Sequence, residues 1–247
     1  MTETNIAENF KIVRQQINEA EKKCGRKEGS VKLCAVSKFH PVEEIEEALK
    51  CSQILFGENR VQEAYSKFSA LKEKGFNNLQ LHIIGALQSN KVKKACEISC
   101  AIESVDRESL LPEIEKHCSF FNKTMEVFFE LHTGEDSKSG FKSEDEILFC
   151  AEKIASGKFP HVNLTGLMTM APFTEDEALI RKSFSSLRNL KEKLNVSFPQ
   201  LPVKELSMGM SGDFKIAIEE GSTIVRIGTS LFGRRDYSGT ENQGVNA

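Results

Sequence analysis

Lys38 is the residue whose position first indicates chemistry in this sequence. It ends the apolar part of the stretch VKLCAVSKFHP (31–41), which predicts a buried strand that breaks before Pro41. A lysine that is partly desolvated and close to other cations has a lowered pKa, and its neutral amine can attack a carbonyl to form a Schiff base. Taken alone, Lys38 is explained equally well as a strand-end lysine whose amine extends into solvent.

Two later segments are rich in small and hydroxyl residues and have the composition of a phosphate site. SMGMSGD (207–213) exposes backbone N–H groups, and its Ser211 is predicted to open a helix, whose N-terminus attracts anions. GTS (228–230) offers two hydroxyls and a close backbone approach at Gly228 and Thr229. Either segment alone is better explained as an ordinary turn, so its weight depends on the fold.

The elements that must position these residues alternate along the chain. Apolar runs predict eight strands at 31–37, 53–57, 79–85, 100–104, 124–132, 162–168, 203–207 and 222–228. Stretches with helical spacing lie between them, and an extra N-terminal helix is predicted over 6–23. This alternation predicts the α/β class and a TIM (β/α)8 barrel with parallel strands. An open doubly wound sheet is the alternative, although no GxGxxG follows the first strand.

In such a barrel the functional residues lie at the C-terminal ends of the strands, and phosphate sites often follow strands seven and eight. The two small-residue segments occupy these two positions. Strand eight is the neighbour of strand one in a closed barrel, so Lys38 and Arg226 should lie beside the phosphate site. A lysine, an arginine and a phosphate site together indicate a phosphorylated aldehyde, of which pyridoxal 5'-phosphate (PLP) is the common one.

Composition excludes several other classes of protein. The net charge of −3 does not favour nucleic acid or a membrane surface, and no apolar run is long enough to span a bilayer. The N-terminus lacks the apolar core of a signal peptide, and the seven scattered cysteines form no CxxC pair or zinc motif. We therefore expect a cytoplasmic monomer without a metal site. We predict one domain over residues 1–236 and a disordered tail over residues 237–247.

The sequence resembles the family of pyridoxal phosphate homeostasis proteins, also called proline synthetase co-transcribed homologue proteins. The matching segments run from about Val31 to Arg235 and are AVSKFHP, FGENRVQE, HIIGALQSNK, SVDR, GEDSKSGF, LTGLMTMAP, LSMGMSGDF and EEGSTIVRIGTSLFGRR. The resemblance implies a barrel like the alanine racemase N-terminal domain. It also implies a carrier or regulator of intracellular PLP that affects amino-acid and keto-acid balance without a dedicated reaction. PLP-dependent apoenzymes are the recipients that we consider.

The resemblance also implies roles for individual residues. Lys38 would hold PLP as a Schiff base, and Arg226 would face the pyridine nitrogen. The remaining implied cofactor residues are Ser211, Gly228 and Thr229 at the phosphate and Asn59 and Met208 along the pocket. In addition, Lys138 in the segment GEDSKSG is a weaker candidate to reach a bound ligand, because a solvated rim lysine explains it more simply.

Three positions depart from the family pattern that we expect. His132 stands in place of an asparagine, Lys215 in place of an acidic residue, and Leu81 in place of an aromatic residue. The first is expected to affect the pocket floor, and the other two packing or surface. None of them is Lys38, Ser211 or Arg226, so cofactor binding is expected to be retained.

Two further functions remain open from the residues. A PLP-dependent amino-acid racemase with weak activity needs a second base opposite Lys38, which related racemases take from a tyrosine on an additional domain. The tyrosines here, Tyr65 on a predicted outer helix and Tyr237 in the tail, are not obvious candidates. An arginine at the pyridine nitrogen also weakens the ring as an electron sink. A Schiff-base aldolase acting on a phosphorylated sugar is the third reading. We therefore expect a carrier with no catalytic residues.

Overall fold

The strands form one closed parallel barrel in which each strand pairs with the next one in the chain and β8 pairs with β1. The structure is a computed structural model that describes residues 5–134, 139–201 and 203–233, so the predicted tail over 237–247 lies outside the described residues. The strands are β1 (Lys32–Val36), β2 (Leu55–Glu58), β3 (Gln80–Ile83), β4 (Ala101–Val105), β5 (Met125–Glu130), β6 (Val162–Met168), β7 (Glu205–Ser207) and β8 (Ile224–Ile227). The predicted TIM barrel is confirmed, and the open sheet is excluded by the pairing of β8 with β1.

A helix follows every strand and covers the outside of the barrel. Within the described ranges the helices are α1 (Ile6–Lys23), α2 (Val42–Lys50), α3 (Val61–Glu73), α4 (Val92–Ile98), α5 (Leu110–Phe120), α6 (Glu144–Ala155), α7 (Glu177–Ser197), α8 (Phe214–Glu219) and α9 (Thr229–Phe232), with a 3₁₀ turn at Ser89–Lys91 before α4. The helix α1 precedes the first strand and has the bounds predicted for the N-terminal helix. No helix in the described part of the chain combines the length and apolar character needed to cross a bilayer.

The core has two layers, as the pattern of apolar residues requires. A large cluster fills the space between strands and helices; α7, for example, buries Ile180, Phe184, Leu187 and Leu194, three to seven residues apart. A smaller cluster fills the barrel interior with side chains from different strands: Cys34, Leu55, Ala101, Phe128, Met168 and Ile224. The barrel is therefore packed in its middle, and open space is left at its two mouths.

The first helix joins the two ends of the described chain. Phe10 of α1 packs against Phe232 of α9, with ring centroids 6.0 Å apart. The Asn9 amide donates to the Leu231 carbonyl at 2.9 Å. Beneath this contact, β1 and β8 pair so that Cys34 lies opposite Arg226. We call this pairing of β1 with β8 the seam of the barrel. It brings the residues that follow β1 and β8 to the same side of the barrel mouth.

Candidate cofactor site

A cavity of about 430 Å³ opens at the C-terminal mouth of the barrel, where the fold places functional residues. All the predicted site residues except Met208 line this cavity: Lys38, Asn59, Ser211, Arg226, Gly228 and Thr229. They come from the ends of β1, β2, β7 and β8 or from the loops that follow them. Residues far apart in the sequence therefore meet at one small-molecule-sized space.

The backbone on both sides of Lys38 is tied to neighbouring elements. The Ser37 hydroxyl donates to Glu58 Oε1 at 2.7 Å, and the Phe39 N–H donates to Glu63 Oε1 at 2.6 Å. Phe39 has a φ of 67°, in the left-handed region that a side chain rarely adopts. Strained backbone of this kind persists where the surroundings hold it, and it occurs often at functional sites. Lys38 thus projects from a turn with a defined shape.

A buried ion pair lies beneath this turn. Lys67 of α3 approaches Glu58 Oε1 at 2.6 Å and also donates to the carbonyls of Ser37, at 2.7 Å, and His40, at 3.2 Å. Burial raises the pKa of Glu58, while the charge of Lys67 and the hydrogen bonds from Lys67 and Ser37 act in the opposite direction. The other carboxylate oxygen of Glu58 has no hydrogen-bond partner among the described residues. One ammonium group therefore connects β2 to the carbonyls on either side of Lys38 and Phe39.

Arg226 is held in one orientation at the cavity wall. Only 4% of the residue is exposed. One terminal nitrogen donates to both the carbonyl and the hydroxyl of Ser207 at 2.7 Å, and the other donates to the Thr169 carbonyl at 2.9 Å. The carboxylate of Glu103 lies 4.0 Å from the guanidinium. A buried, multiply bonded guanidinium presents a fixed positive charge to a ligand.

The carboxylate near Arg226 remains charged despite its burial. Burial of Glu103 alone would raise its pKa, but His82 and Arg226, together with the hydrogen bond from Ser207, lower the pKa below its ordinary value. Glu103 accepts from His82 at 2.6 Å and from the Ser207 hydroxyl at 2.5 Å. Hydrogen bonds therefore connect Arg226 through Ser207 and Glu103 to His82 in the barrel interior.

The prediction that Ser211 opens a helix is wrong. The helix α8 begins at Phe214 with Asp213 as the N-cap residue, and Ser211 lies in the turn before it. Gly209 has a φ of +96°, and a Cβ there would lie 2.6 Å from the Cβ of Ala217. The loop is therefore folded tightly against α8, and this packing shifts the helix start beyond Ser211. The serine still lines the cavity through its position in the turn.

Gly228 and Thr229 lie where β8 passes into a short helix, beside the end of β1. Gly228 is the N-cap residue of α9, and Thr229 is the first residue of that helix. The Gly228 carbonyl accepts from the N–H groups of Leu231 and Phe232 at 2.8 and 3.0 Å. Both predicted small-residue segments therefore border the cavity, as their positions after β7 and β8 required.

Met208 is not placed with the other predicted residues. It is fully buried, belongs to the large core cluster and is absent from the cavity lining. Hydrogen bonds to residues in and before β8 explain this, because its N–H donates to the Ile224 carbonyl at 3.1 Å and its own carbonyl accepts from the Ser222 hydroxyl. These backbone bonds keep the residue within the packed wall between β7 and β8.

Sequence reasoning did not single out several residues that line the cavity. They are Ile84, Gly85, Ala86, Ser139, Met170, Ala171, Pro172, Phe173, Thr174, Met210 and Asp213, and His40, which the sequence favoured as a turn residue, also lines the cavity. Most of them follow a strand directly, in the segments GALQSN, MTMAP and SMGMSGD, so the position after each strand was the available signal. His40 contacts Glu44 through Nδ1 at 2.8 Å and lies 4.9 Å from the Phe232 ring.

The three departures from the family pattern lie away from the cavity lining. His132 donates its N–H to the Phe141 carbonyl, and its buried Nδ1 has no hydrogen-bond partner among the residues described. Leu81 is buried in the core, and Lys215 is exposed with its amine over the Phe214 ring. Leu81 and Lys215 are therefore packing and surface positions, as expected. Lys138 and Tyr237 lie outside the described residues, whereas Tyr65 lies on α3 and donates to Glu97 at 3.0 Å.

Comparison with known sequences gives consistent relatives over nearly the full length. Residues 4–236 match the alanine racemase N-terminal domain. The chain is 40% identical to the pyridoxal phosphate homeostasis protein of Vibrio alginolyticus, over 95% of this chain and all of the relative. It is 40% identical to the protein of that name from Aquifex aeolicus, over 94% of this chain and all of the relative.

Comparison with solved structures agrees with the sequence relatives. PipY of Synechococcus elongatus, solved with PLP bound, has a TM-score of 0.82 and 34% identity, and the match covers 93% of this chain and all of PipY. An alanine racemase from Clostridium difficile has a TM-score of 0.71 with 15% identity. That match covers 93% of this chain and 56% of the racemase, and it shows a common fold alone.

Proposed function

The chain belongs to the family of pyridoxal phosphate homeostasis proteins, and from that premise we propose that it binds PLP at the C-terminal mouth of its barrel and acts in PLP (vitamin B6) homeostasis. The observation that carries the proposal is the convergence of Lys38, Arg226 and the two small-residue segments on one cavity. We place this role in the cytoplasm, in a monomer, with effects on amino-acid and keto-acid balance through PLP-dependent apoenzymes that receive the cofactor.

The residues at the cavity fit the chemical groups of PLP. The cofactor carries an aldehyde, a phosphate and a pyridine ring, and it supplies an electrophilic carbonyl to amines when it is bound. Lys38 has the amine that would hold the aldehyde covalently as a Schiff base. Ser211, Gly228 and Thr229 would hold the phosphate through hydroxyl and backbone donors. Asn59 would complete the wall from the end of β2. The cavity of about 430 Å³ is of the size that small-molecule sites have.

The fixed charge of Arg226 favours a carrier over a catalyst. The guanidinium has three hydrogen bonds to Ser207 and Thr169, which fix its position at the cavity wall. A guanidinium that faces the pyridine nitrogen, as the family resemblance implies for Arg226, would disfavour protonation of that nitrogen and would leave the ring a weak electron sink. PLP chemistry that relies on a strong electron sink is therefore disfavoured at this site. Binding and release of the cofactor make no such demand.

A weak amino-acid racemase is the second candidate, because the fold is shared with alanine racemases. Racemisation needs a proton donor on the face of the substrate opposite Lys38. No tyrosine occurs in the cavity lining among the residues described, and Tyr65 is engaged with Glu97 on the outside of the barrel. We therefore rank the carrier first and expect racemase activity to be weak or absent.

The test is visible absorption of the purified full-length protein before and after borohydride reduction, followed by peptide mapping. We expect a yellow protein that bleaches on reduction, with the reduced label on Lys38. The Lys38→Ala variant should remain folded and lose covalent PLP. Lys32→Ala is the matched control, because Lys32 begins the same strand at the opposite mouth and pairs with Glu205 at 2.7 Å.

Each outcome decides a separate part of the proposal. A Lys38→Ala protein that stays yellow after dialysis would reject Lys38 as the covalent residue. A wild-type protein that takes up no added PLP would reject the cofactor and favour the phosphorylated-sugar aldolase. Interconversion of L- and D-amino acids by the PLP-loaded wild type, lost in Lys38→Ala, would favour the racemase.

A further inference from the structure

Buried polar side chains form a connected path through the barrel, beside the apolar residues that fill its interior. At one end of the path, Arg226 lines the cofactor cavity at the C-terminal mouth. At the other end, His82 lines a second cavity, of about 550 Å³, whose wall also contains Lys32 and Gln80 at the starts of their strands. This second cavity therefore lies at the N-terminal mouth. Among the described residues it shares no lining residue with the cofactor cavity.

Two fully buried residues, Glu103 of β4 and Ser207 of β7, join the ends of this path. His82 Nδ1 lies 2.6 Å from Glu103 Oε1, and the Ser207 hydroxyl donates to Glu103 Oε2 at 2.5 Å. A hydroxyl has a single proton, so the Ser207 oxygen presents a lone pair to Arg226, whose terminal nitrogen donates to it at 2.7 Å. Both carboxylate oxygens of Glu103 are therefore engaged, and the carboxylate fixes the direction of the Ser207 hydroxyl.

The charges along the path depend on one another. Burial alone would lower the pKa of His82, but interactions with Cys100 and Glu103 raise it to about 10, so the imidazole is a cation at neutral pH. Burial alone would raise the pKa of Glu103, but His82 and Arg226 lower it. Glu103 is thus a buried anion between two buried cations. Its removal would leave the charge of Arg226 without this neighbouring carboxylate, which lies 4.0 Å away.

The bonds that hold Arg226 leave part of its guanidinium available to a ligand. Of the five N–H groups of a guanidinium, Arg226 uses three on the Ser207 carbonyl, the Ser207 hydroxyl and the Thr169 carbonyl. The remaining two can serve a molecule in the cavity that Arg226 lines. Because a guanidinium is planar and rigid, the bonds to Ser207 and Thr169 also set the direction of these two groups.

We propose that Glu103, together with His82, is a positioning residue for Arg226, and that this pair sets the affinity of the cofactor cavity for PLP from within the barrel. The proposal rests on the proposed function, in which PLP occupies that cavity. Glu103 is absent from the cavity lining in the described part of the chain, so its effect passes through the Ser207 hydroxyl to the guanidinium. The N-terminal mouth, where His82 lies, thereby influences binding at the C-terminal mouth.

PLP titrations of the full-length protein at pH 7, followed by visible absorbance, test this role. Glu103→Gln keeps the shape of the side chain and removes its charge, so the Ser207 hydroxyl is no longer held in one direction. We expect the Kd for PLP to rise about fivefold, as for the loss of one hydrogen bond. Gln80→Ala is the matched control and should leave the Kd unchanged, because Gln80 is on the same strand as His82 and lines the same cavity outside the path.

A double-mutant cycle separates positioning from a general disturbance of the barrel. If Glu103 acts through the guanidinium, Glu103→Gln should not change the Kd further once Arg226→Gln is present. Equal fold-changes in the wild-type and Arg226→Gln backgrounds would overturn the proposal. A wild-type protein that binds no PLP would instead reject the proposed function, before any variant is compared.

His82→Gln keeps the proposal testable if Glu103→Gln does not fold, because it changes the end of the path that borders the second cavity. It should raise the Kd for PLP at least about twofold, the lower limit for coupling within one hydrogen-bond network. It should have no effect in Ser207→Ala, where the path between His82 and Arg226 is interrupted. An unchanged Kd in a folded His82→Gln protein, or an equal fold-change in the Ser207→Ala background, would overturn the proposal.

Discussion

Replacing Lys67 with methionine tests how the turn that carries Lys38 is held. Lys67 and Glu58 lie 2.6 Å apart, with side-chain exposures of 10% and 0%. Methionine retains an unbranched apolar stem and removes the ammonium that bonds Glu58 and the carbonyls of Ser37 and His40. Removing one partner of a buried ion pair costs about 3–5 kcal/mol. We expect the lower end of this range, about 3 kcal/mol, because burial already raises the pKa of Glu58 and the carboxylate can take up a proton.

Lys74→Met is the matched control for this change. Lys74 lies 2.6 Å from Glu46, the same distance as in the buried pair, but 52% of its side chain is exposed. An exposed pair of this kind contributes about 0–1 kcal/mol. The two variants therefore differ in the burial of the pair and not in its length.

The assay is thermal unfolding followed by circular dichroism at several pH values. A loss of about 3 kcal/mol corresponds to a Tm lower by about 6–12 °C for a domain of this size. Without Lys67, the pKa of Glu58 in the folded protein should lie further above its ordinary value of 4.5. A group whose folded pKa is raised loses its stabilising contribution as the pH rises, so the deficit of Lys67→Met should grow from pH 5 to pH 8. A deficit equal to that of Lys74→Met, or one independent of pH, would refute this reasoning.

Three further perturbations have defined outcomes. Arg226→Gln removes the charge at the cavity wall and should weaken PLP binding about tenfold, measured by absorbance titration; an unchanged Kd would show that the guanidinium does not contact the cofactor. Gly166→Ala would place a Cβ 2.5 Å from the Phe128 ring and should cost about 1–3 kcal/mol in urea unfolding, whereas Gly212→Ala meets nothing within 4 Å and should cost little; equal midpoints would contradict the packing. Burial raises the pKa of Glu130 to about 7, so its stabilising contribution is present near pH 4.5 and is lost as the pH rises through 7. The free energy of unfolding of Glu130→Gln should therefore gain on that of the wild type between pH 5 and pH 8, by up to about 3 kcal/mol, and a difference independent of pH would exclude this titration.

The barrel could be predicted because each strand is a short apolar run between amphipathic stretches. The predicted runs extend one to three residues beyond several observed strands; the run at 53–57, for example, corresponds to Leu55–Glu58. The shortest strand, Glu205–Ser207, contains three residues, whereas its predicted run covers residues 203–207. Strand ends depend on pairing with neighbours, and the sequence of one strand does not contain that information.

The candidate site could be predicted where it depends on one rule, that functional residues of a TIM barrel lie at the C-terminal ends of its strands. Lys38 and Arg226 follow from the pairing of β1 with β8, which any closed barrel of this type requires. The start of α8 depends on the packing of Gly209 against Ala217, and local composition favoured Ser211 equally well. The contact between Ser207 and Glu103 joins residues 104 positions apart. Such contacts depend on the tertiary arrangement of side chains inside the barrel.

The pairing of β1 with β8 also has a consequence for how the protein folds. Lys38 and Arg226 both line the cofactor cavity but come from opposite ends of the described sequence, and α1 packs on α9 over the paired strands β1 and β8. Contacts this distant along the chain are slow to form, so ring closure should be a late folding event. A nascent chain that has not yet produced β8 holds Lys38 on an unpaired strand edge, with no Arg226 beside it. A ligand that contacts residues after both β1 and β8 binds only the closed barrel. Its binding would therefore stabilise the closed barrel against separation of these two strands.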